Sequence, residues 1–458
     1  MSSTFKPFAP SLPALQLDRT FPFSTQQHLA LAAIEQFLNM PERKLFLLKG
    51  FAGTGKSTVL CLLMQHLRQH GWRIAMTAPT NKAVNVLRQM AAQVQLQGVD
   101  FMTIHQLLGL SLKSSGGEKR LEPTGQPLTR LYHLVVIDEC SMIGTALWAE
   151  IAKLDSPLLP TKIVLMGDPA QLNPVGEAKS PSFRVPLAAT LTQVVRQHQG
   201  SPLAEYIADC RRSVTRSQAP FQPYSHHRQG QGVFRVSQAK LLDYACHTIA
   251  RQFEQAPDCF RILCFTNRQV DYYNQIVRQA YYGTAAPRFV VGERLITRDP
   301  IIGADKKTIV VPTATEIVVQ GVELDDYCGY SVWRLQIEID RDSKQIYVLH
   351  ESEQDRFDRE TIRLQAAAKR NPYLWHVYYK HLETFAQVRP CFALTIHNAQ
   401  GSTFAEVGID ANDILKRLAH TNEDRSSRLK EYNRLHYVAA SRAQRRVLVV
   451  YSRRPVAN

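Results

Sequence analysis

Four short apolar runs recur in the first half of the chain, at 46–48, 74–76, 134–137 and 163–166, with stretches of helical periodicity between them. Continuous apolar runs of this length, separated by amphipathic helices, are the sequence form of buried parallel strands joined by crossover helices. Each run ends in a polar or Gly-rich loop, which is where open α/β sheets place their ligands. A second set follows at 262–265, 392–395, 407–409 and 447–450. The pattern predicts two α/β domains with parallel sheets in tandem.

Inside the second set the period changes. From about Arg298 to Thr384 the runs 308–311, 316–319 and 335–339 carry strand-like apolar and alternating patterns, predicting a small antiparallel β-barrel inserted into the second domain. The expected organisation is a first domain over 1–187, the second domain over 188–297 and 385–458, and the insertion over 298–384. Residues 197–232, rich in Gln, Arg, Ser, Pro and His, predict a helix around Pro202–Arg212 followed by a mobile loop. No repeat of 20 to 50 residues is present.

With 458 residues and 45% hydrophobic content, each of these domains can bury a core. The formal charge of +15 favours a polyanionic partner, nucleic acid first, because Lys and Arg brought to a phosphate release condensed counterions, although many basic proteins bind no nucleic acid. The eight cysteines form no C-x-x-C pair and have no His spacing suited to zinc, so buried free thiols are expected. His226–His227, within the polar stretch, is expected in a solvated loop. Residues 1–20 hold several prolines and no continuous apolar run, unlike a signal peptide or a membrane span. A cytoplasmic setting with no membrane partner is therefore expected.

The loop after the first run reads Gly50-Phe51-Ala52-Gly53-Thr54-Gly55-Lys56-Ser57, a G-x-x-x-x-G-K-[ST] phosphate loop between a predicted strand and a predicted helix. Its glycines let backbone N–H groups wrap phosphates, Lys56 reaches the β and γ phosphates, and Ser57 ligates Mg²⁺. The third run ends in Asp138-Glu139, placing Asp138 on the Mg²⁺ shell and Glu139 on the attacking water. The fourth ends in Gly167-Asp168-Pro169-Ala170-Gln171, where the Gln171 amide is suited to sensing the γ-phosphate. ATP and Mg²⁺ are the expected cofactors.

Nine segments then carry a resemblance: 50–58 (GFAGTGKST), 77–87 (TAPTNKAVNVL), 103–110 (TIHQLLGL), 138–142 (DECSM), 167–176 (GDPAQLNPVG), 191–197 (LTQVVRQ), 265–274 (FTNRQVDYYN), 395–403 (TIHNAQGST) and 437–443 (YVAASRA). In content and order they resemble the superfamily 1 DNA helicases of the RecD/Dda type, over about Phe23 to Tyr451. The resemblance implies two RecA-like motor domains and, at about 111–130, a strand-separating β-hairpin; a plain surface loop is the other reading of that segment. It makes Gln27, in Ser24–Ala30, the adenine-reading amide, against the alternative of a glutamine on a solvated helix turn. Gly50, Gly53, Thr54, Gly55, Thr58 and Gly401 complete the expected nucleotide set. Arg196 and Arg442 match two arginines that reach the γ-phosphate from the second domain, although Arg445 and Arg446 lie close by.

For a DNA track the resemblance offers Pro79, Thr80, Asn81, Lys82 and Ser402, with the paired Thr-Ile-His units Thr103–His105 and Thr395–His397. Hydroxyls and amides at helix starts suit phosphates, and a His ring can stack on a base; a buried structural histidine is the alternative. Aromatics and bases interleave at 369–380, where core packing competes with nucleic-acid contact. The chain departs from the family at Asn398-Ala399, where Lys and a small residue are frequent, and at Ala440, commonly bulkier. The implied activity is an ATP-dependent helicase moving 5′ to 3′ on single-stranded DNA and acting at duplex junctions. A monomer suffices for it, with single-strand-binding, replication or repair proteins as further partners. An RNA or protein-stripping translocase and a nucleotide-switch ATPase remain alternatives.

Overall fold

A computed structural model describes residues 23–115, 118–174, 176–193, 200–303, 309–339, 342–419 and 423–452. The first apolar set forms one parallel sheet in the spatial order Val99–Thr103, Ile74–Ala78, Leu134–Ile137, Lys162–Gly167, Leu45–Gly50, Ala188–Leu191. The four inner strands are buried almost throughout because helices cover both faces. The Lys162–Gly167 strand separates the phosphate-loop strand from the one ending in Asp138-Glu139. Three chemically distinct loops therefore open side by side at the C-terminal edge of the sheet.

The second set forms the order Ala393–Thr395, Phe260–Cys264, Phe404–Asp410, Ala443–Val450, Gln231–Val236, His226–Arg228, parallel except for the last pair. The chain is thus an α/β protein with two RecA-like sheets. A third sheet is antiparallel, in the order Asp342–Leu349, Tyr330–Ile339, Glu316–Tyr327, Arg294–Thr297, Val388–Pro390. Two helices, Gln354–Arg370 and Trp375–Leu382, lie between its strands in sequence. In the first domain, Leu110–Ser115 and Glu118–Pro123 pair as an antiparallel hairpin, and it touches the Trp375–Leu382 helix.

One expectation needs correcting. The helix of the polar stretch runs Pro202–Arg216, and the segment expected as a loop contributes the edge strand His226–Arg228. His226 lies 2.7 Å from a Glu205 oxygen and His227 stacks on Phe234, so both side chains serve the sheet edge. An exposed edge strand can be polar, which hid it from a reading based on apolar runs. All eight cysteines are free; six are buried, Cys246 is half-buried and Cys328 is exposed. No helix among the described residues is long and apolar enough to cross a membrane.

The three units meet at an ion cluster. Lys82 of the first domain lies 3.2 Å from Glu316 of the antiparallel sheet, and Glu316 is 3.6 Å from the fully buried Arg261 of the second domain. Arg261 also faces Asp258 at 3.7 Å. Burial opposes the Glu316 charge, yet Lys82 and Arg261 outweigh it and hold the carboxyl down to about 2.

Candidate active site

The phosphate loop is shaped by backbone conformations that only glycine adopts freely. Gly53 and Gly55 have φ of 80° and 79°, and Gly55 caps the helix Lys56–Gln69 without a side-chain bond. The first N–H groups of that helix therefore face the cleft without a side-chain cap, a ready anion site. Lys56 Nζ donates to the Gly50 and Phe51 carbonyls at 2.8 and 3.1 Å, holding the ammonium across the loop. At Gly50 a Cβ would stand 2.8 Å from Thr54 Oγ1, so the close turn excludes a side chain.

The loop opens into a cleft of about 620 Å³ between the two RecA-like domains. From the first domain, Gln27, Gly53, Gly55, Lys56, Ser57, Thr58, Asp138, Glu139 and Gln171 line it; from the second, Gly401 and Arg442. Gly50 and the buried Thr54 shape the loop from behind, Thr54 through its carbonyl, which accepts from Gln27 Nε2 at 3.2 Å. The other end of the Gln27 amide accepts the Ser24 N–H in a capping box. Gln27 is thus buried against the loop and not on a solvated turn. Arg196 lies outside the described residues.

Glu139 sits at φ 50°, a left-handed conformation that strains a non-glycine residue and recurs where a side chain must be aimed. Burial, then the neighbouring Asp138 charge, pushes its carboxyl up to about 7, while Arg442 and Lys56 pull it down. Burial likewise raises Asp138, against the Glu139 N–H that its Oδ1 accepts at 2.8 Å. The Ser57 hydroxyl and Asp138 carboxylate are hard oxygen donors on one cleft wall, a set that fits Mg²⁺, which takes few protein ligands beside phosphates. Gln171 is buried, and its Oε1 has no hydrogen-bond partner among the described residues. A buried amide oxygen left unpaired is costly and marks a place for a polar visitor.

Of the clustered arginines only Arg442 lines the cleft. Its guanidinium donates to the Val438 and Ser402 carbonyls at 3.1 and 3.2 Å, which fixes its direction. Arg445 and Arg446 turn to Glu406 at 3.2 and 3.4 Å. Gly401, at φ 74°, brings the second domain so near that a Cβ there would stand 3.4 Å from the Ala83 Cβ of the first.

Three residues at this cleft were not assigned roles from the sequence. Asp168 Oδ2 accepts from the Ala52 N–H at 2.9 Å and from the Tyr437 hydroxyl at 2.6 Å, and Arg211 places its guanidinium 4.2 Å from the centre of the Phe51 ring. Asp168 and Tyr437 lay inside quoted motifs, and their polarity beside apolar runs was the available signal. Arg211, on the Pro202–Arg216 helix, carries no such signal.

The expected DNA residues separate into groups. Asn81, Lys82 and Ser402 line a second cleft of about 980 Å³ beside the first, bounded also by Glu316 of the antiparallel sheet. Pro79, Thr80, Thr103, His105, Thr395 and His397 line neither cleft. Thr80 and Thr103 cap helices by accepting from Ala83 and Gln106 N–H, and Thr395 accepts from Asn398 N–H. The isoleucines Ile104 and Ile396 are fully buried, so His105 and His397 are the members of each triplet left partly exposed. Burial lowers the pKa of both rings, favouring the neutral form. Ala440 is fully buried in the second-domain core, which accounts for a small residue at that departure from the family pattern, and Ala399, where a small residue is the family's pattern, is buried there too.

Residues 24–228 match the family model described as AAA domain. The ATP-dependent RecD2 DNA helicase of Deinococcus radiodurans is 32% identical over 35% of this chain and 21% of its own length. The ATP-dependent DNA helicase dda of Enterobacteria phage T4 is 25% identical over 56% of each chain. This chain thus spans about a fifth and about half of those two relatives. A Pif1 helicase structure, from a study of DNA unwinding at forked double-stranded DNA by two coordinating Pif1 helicases, shares the fold with a TM-score of 0.50 at 16% identity, covering 94% of this chain and 92% of that one. In its ordered motifs and in these matches, the chain resembles the RecD/Dda-like group of the superfamily 1 helicases.

Proposed function

We propose that the protein is an ATP-dependent DNA helicase that moves 5′ to 3′ along single-stranded DNA. The observation that carries this reading is the cleft itself: a phosphate loop with Asp138, Glu139 and Gln171 on one wall, and Arg442 on the wall supplied by the other domain. Such a site is complete only when the domains are together, so hydrolysis and domain motion are coupled by construction. The loop amides and Lys56 bind the phosphates, Glu139 orients the attacking water and accepts its proton, and Gln171 senses the γ-phosphate. Arg442 stabilises the charge that develops in transfer, joined by Arg196 in the resemblance. Ser57 and Asp138 would hold Mg²⁺, which when bound would supply neutralisation of the phosphate charge.

DNA is the proposed track, supported by the +15 charge and by the matching His105 and His397 turns of the two motor domains. Alternate approach and separation of the domains moves the strand between these two contact sets. The deciding experiment is ATP-dependent opening of a short duplex bearing a single-stranded 5′ or 3′ tail. Opening from the 5′ tail alone is expected. A 3′ preference would overturn the polarity, and hydrolysis stimulated by RNA in preference to DNA would transfer the motor to RNA.

A further inference from the structure

We propose that Tyr437 is a positioning residue that docks the second motor domain onto the phosphate loop and thereby sets the reach of Arg442; the inference rests on the hydrolysis reading above. Its hydroxyl donates to Asp168 Oδ2 at 2.6 Å and accepts from the Ala52 N–H at 3.0 Å. Asp168 is itself fixed, with Oδ1 accepting from the Ala170 N–H and Oδ2 from the Ala52 N–H, both at 2.9 Å. One phenol therefore closes a ring of hydrogen bonds joining the phosphate loop, the Gln171 loop and the other domain. The hydroxyl is buried, and burial beside Asp168 raises its pKa well above the ordinary tyrosine range, so it remains a donor.

Tyr437 lies on the helix Arg425–Ala440, and Arg442 follows two residues after that helix ends. One turn earlier, Arg434 on the same helix approaches the Pro169 carbonyl at 3.5 Å. The helix thus meets the 168–169 loop at two points, and Arg442, two residues beyond its end, is carried on the same helix toward the cleft. A hydroxyl at Tyr437 converts docking of the helix into a defined distance between Arg442 and the phosphate loop. Without it the helix still packs, because Tyr437 is fully buried, but the register of approach is loosened.

Tyr437→Phe removes the hydroxyl and keeps the ring, while Asp168 retains both N–H donors. Steady-state ATP hydrolysis with and without oligo(dT) is the assay. Loss of one hydrogen bond to a charged group predicts a fall in DNA-stimulated kcat of about tenfold, with the KM for ATP changed less than about twofold. Because the hydroxyl acts through the arginine, Tyr437→Phe combined with Arg442→Ala should be no slower than Arg442→Ala alone. Asp168→Asn, which keeps the phenol in place, should lower kcat in the same sense. Unchanged kcat in Tyr437→Phe, or fully additive losses in the double variant, would overturn the assignment while leaving the hydrolysis reading intact. Absence of turnover in the wild type would overturn both.

Discussion

Replacing Glu316 by Gln tests whether the three units are held by the ion cluster between them. The carboxyl is held down to about 2 against an ordinary 4.5, a displacement worth on the order of 3 kcal/mol in favour of the assembled state. The substitution leaves Arg261, buried beneath the Phe253 and Phe404 rings, with Asp258 as its nearest remaining carboxylate. Removing one partner of a buried pair typically costs 3–5 kcal/mol, so about 3 kcal/mol is expected for Glu316→Gln at pH 7. The sign with pH follows from the lowered pKa: the contribution is complete above 4.5 and is lost as pH falls toward 2. By pH 4 the wild type should have surrendered about 0.8 kcal/mol of it, and the variant none. The measurement is the first urea unfolding transition of both proteins at pH 7, 5 and 4. A deficit under about 1 kcal/mol at pH 7, or a gap that does not narrow toward pH 4, would refute the reasoning. Lys82→Met should recover part of the loss in the Glu316→Gln background, since it removes the unpaired ammonium.

The remaining predictions concern the cleft. Lys56→Ala should abolish ATP hydrolysis with an unchanged circular dichroism spectrum, and turnover at the wild-type rate would remove the phosphate-loop assignment. Arg442→Ala should bind a fluorescent ATP analogue within a few-fold of wild type and lose about 10³-fold in kcat; normal kcat would give the role to another arginine. Because Glu139 must be ionised to accept a proton and its carboxyl is pushed up to about 7, kcat should rise through neutral pH and level off above it. Glu139→Gln should abolish most turnover and flatten what is left, and an unaltered profile in that variant would assign the titration elsewhere.

How much of this could be read from the chain depended on whether each feature was local. The phosphate loop, the Asp138-Glu139 pair and the Gln171 loop each follow a buried strand, so the apolar run announces the element and the polar break announces the site. The edge strand His226–Arg228 was missed because it has no buried run to announce it. Arg445 and Arg446 could not be told from Arg442 by spacing; their direction is decided by Glu406, about 40 residues away, which draws both guanidinium groups off the cleft. The Lys82–Glu316–Arg261 cluster joins residues over 200 positions apart, beyond what any periodicity encodes.

The paired Thr-Ile-His triplets show the same boundary within a single motif. Alike in sequence, they offer threonine and histidine as candidate nucleic-acid contacts, yet each residue type meets a different physical demand. The threonine oxygen is taken by a backbone N–H three residues on, and the isoleucine is consumed by the core. The histidine ring is the partly exposed member of each triplet, and burial favours its neutral form. A recurring triplet therefore identifies the turn that presents a residue. Which residue is presented is fixed by the competing claims of helix capping and burial, and these become legible only when the turn is placed on its sheet.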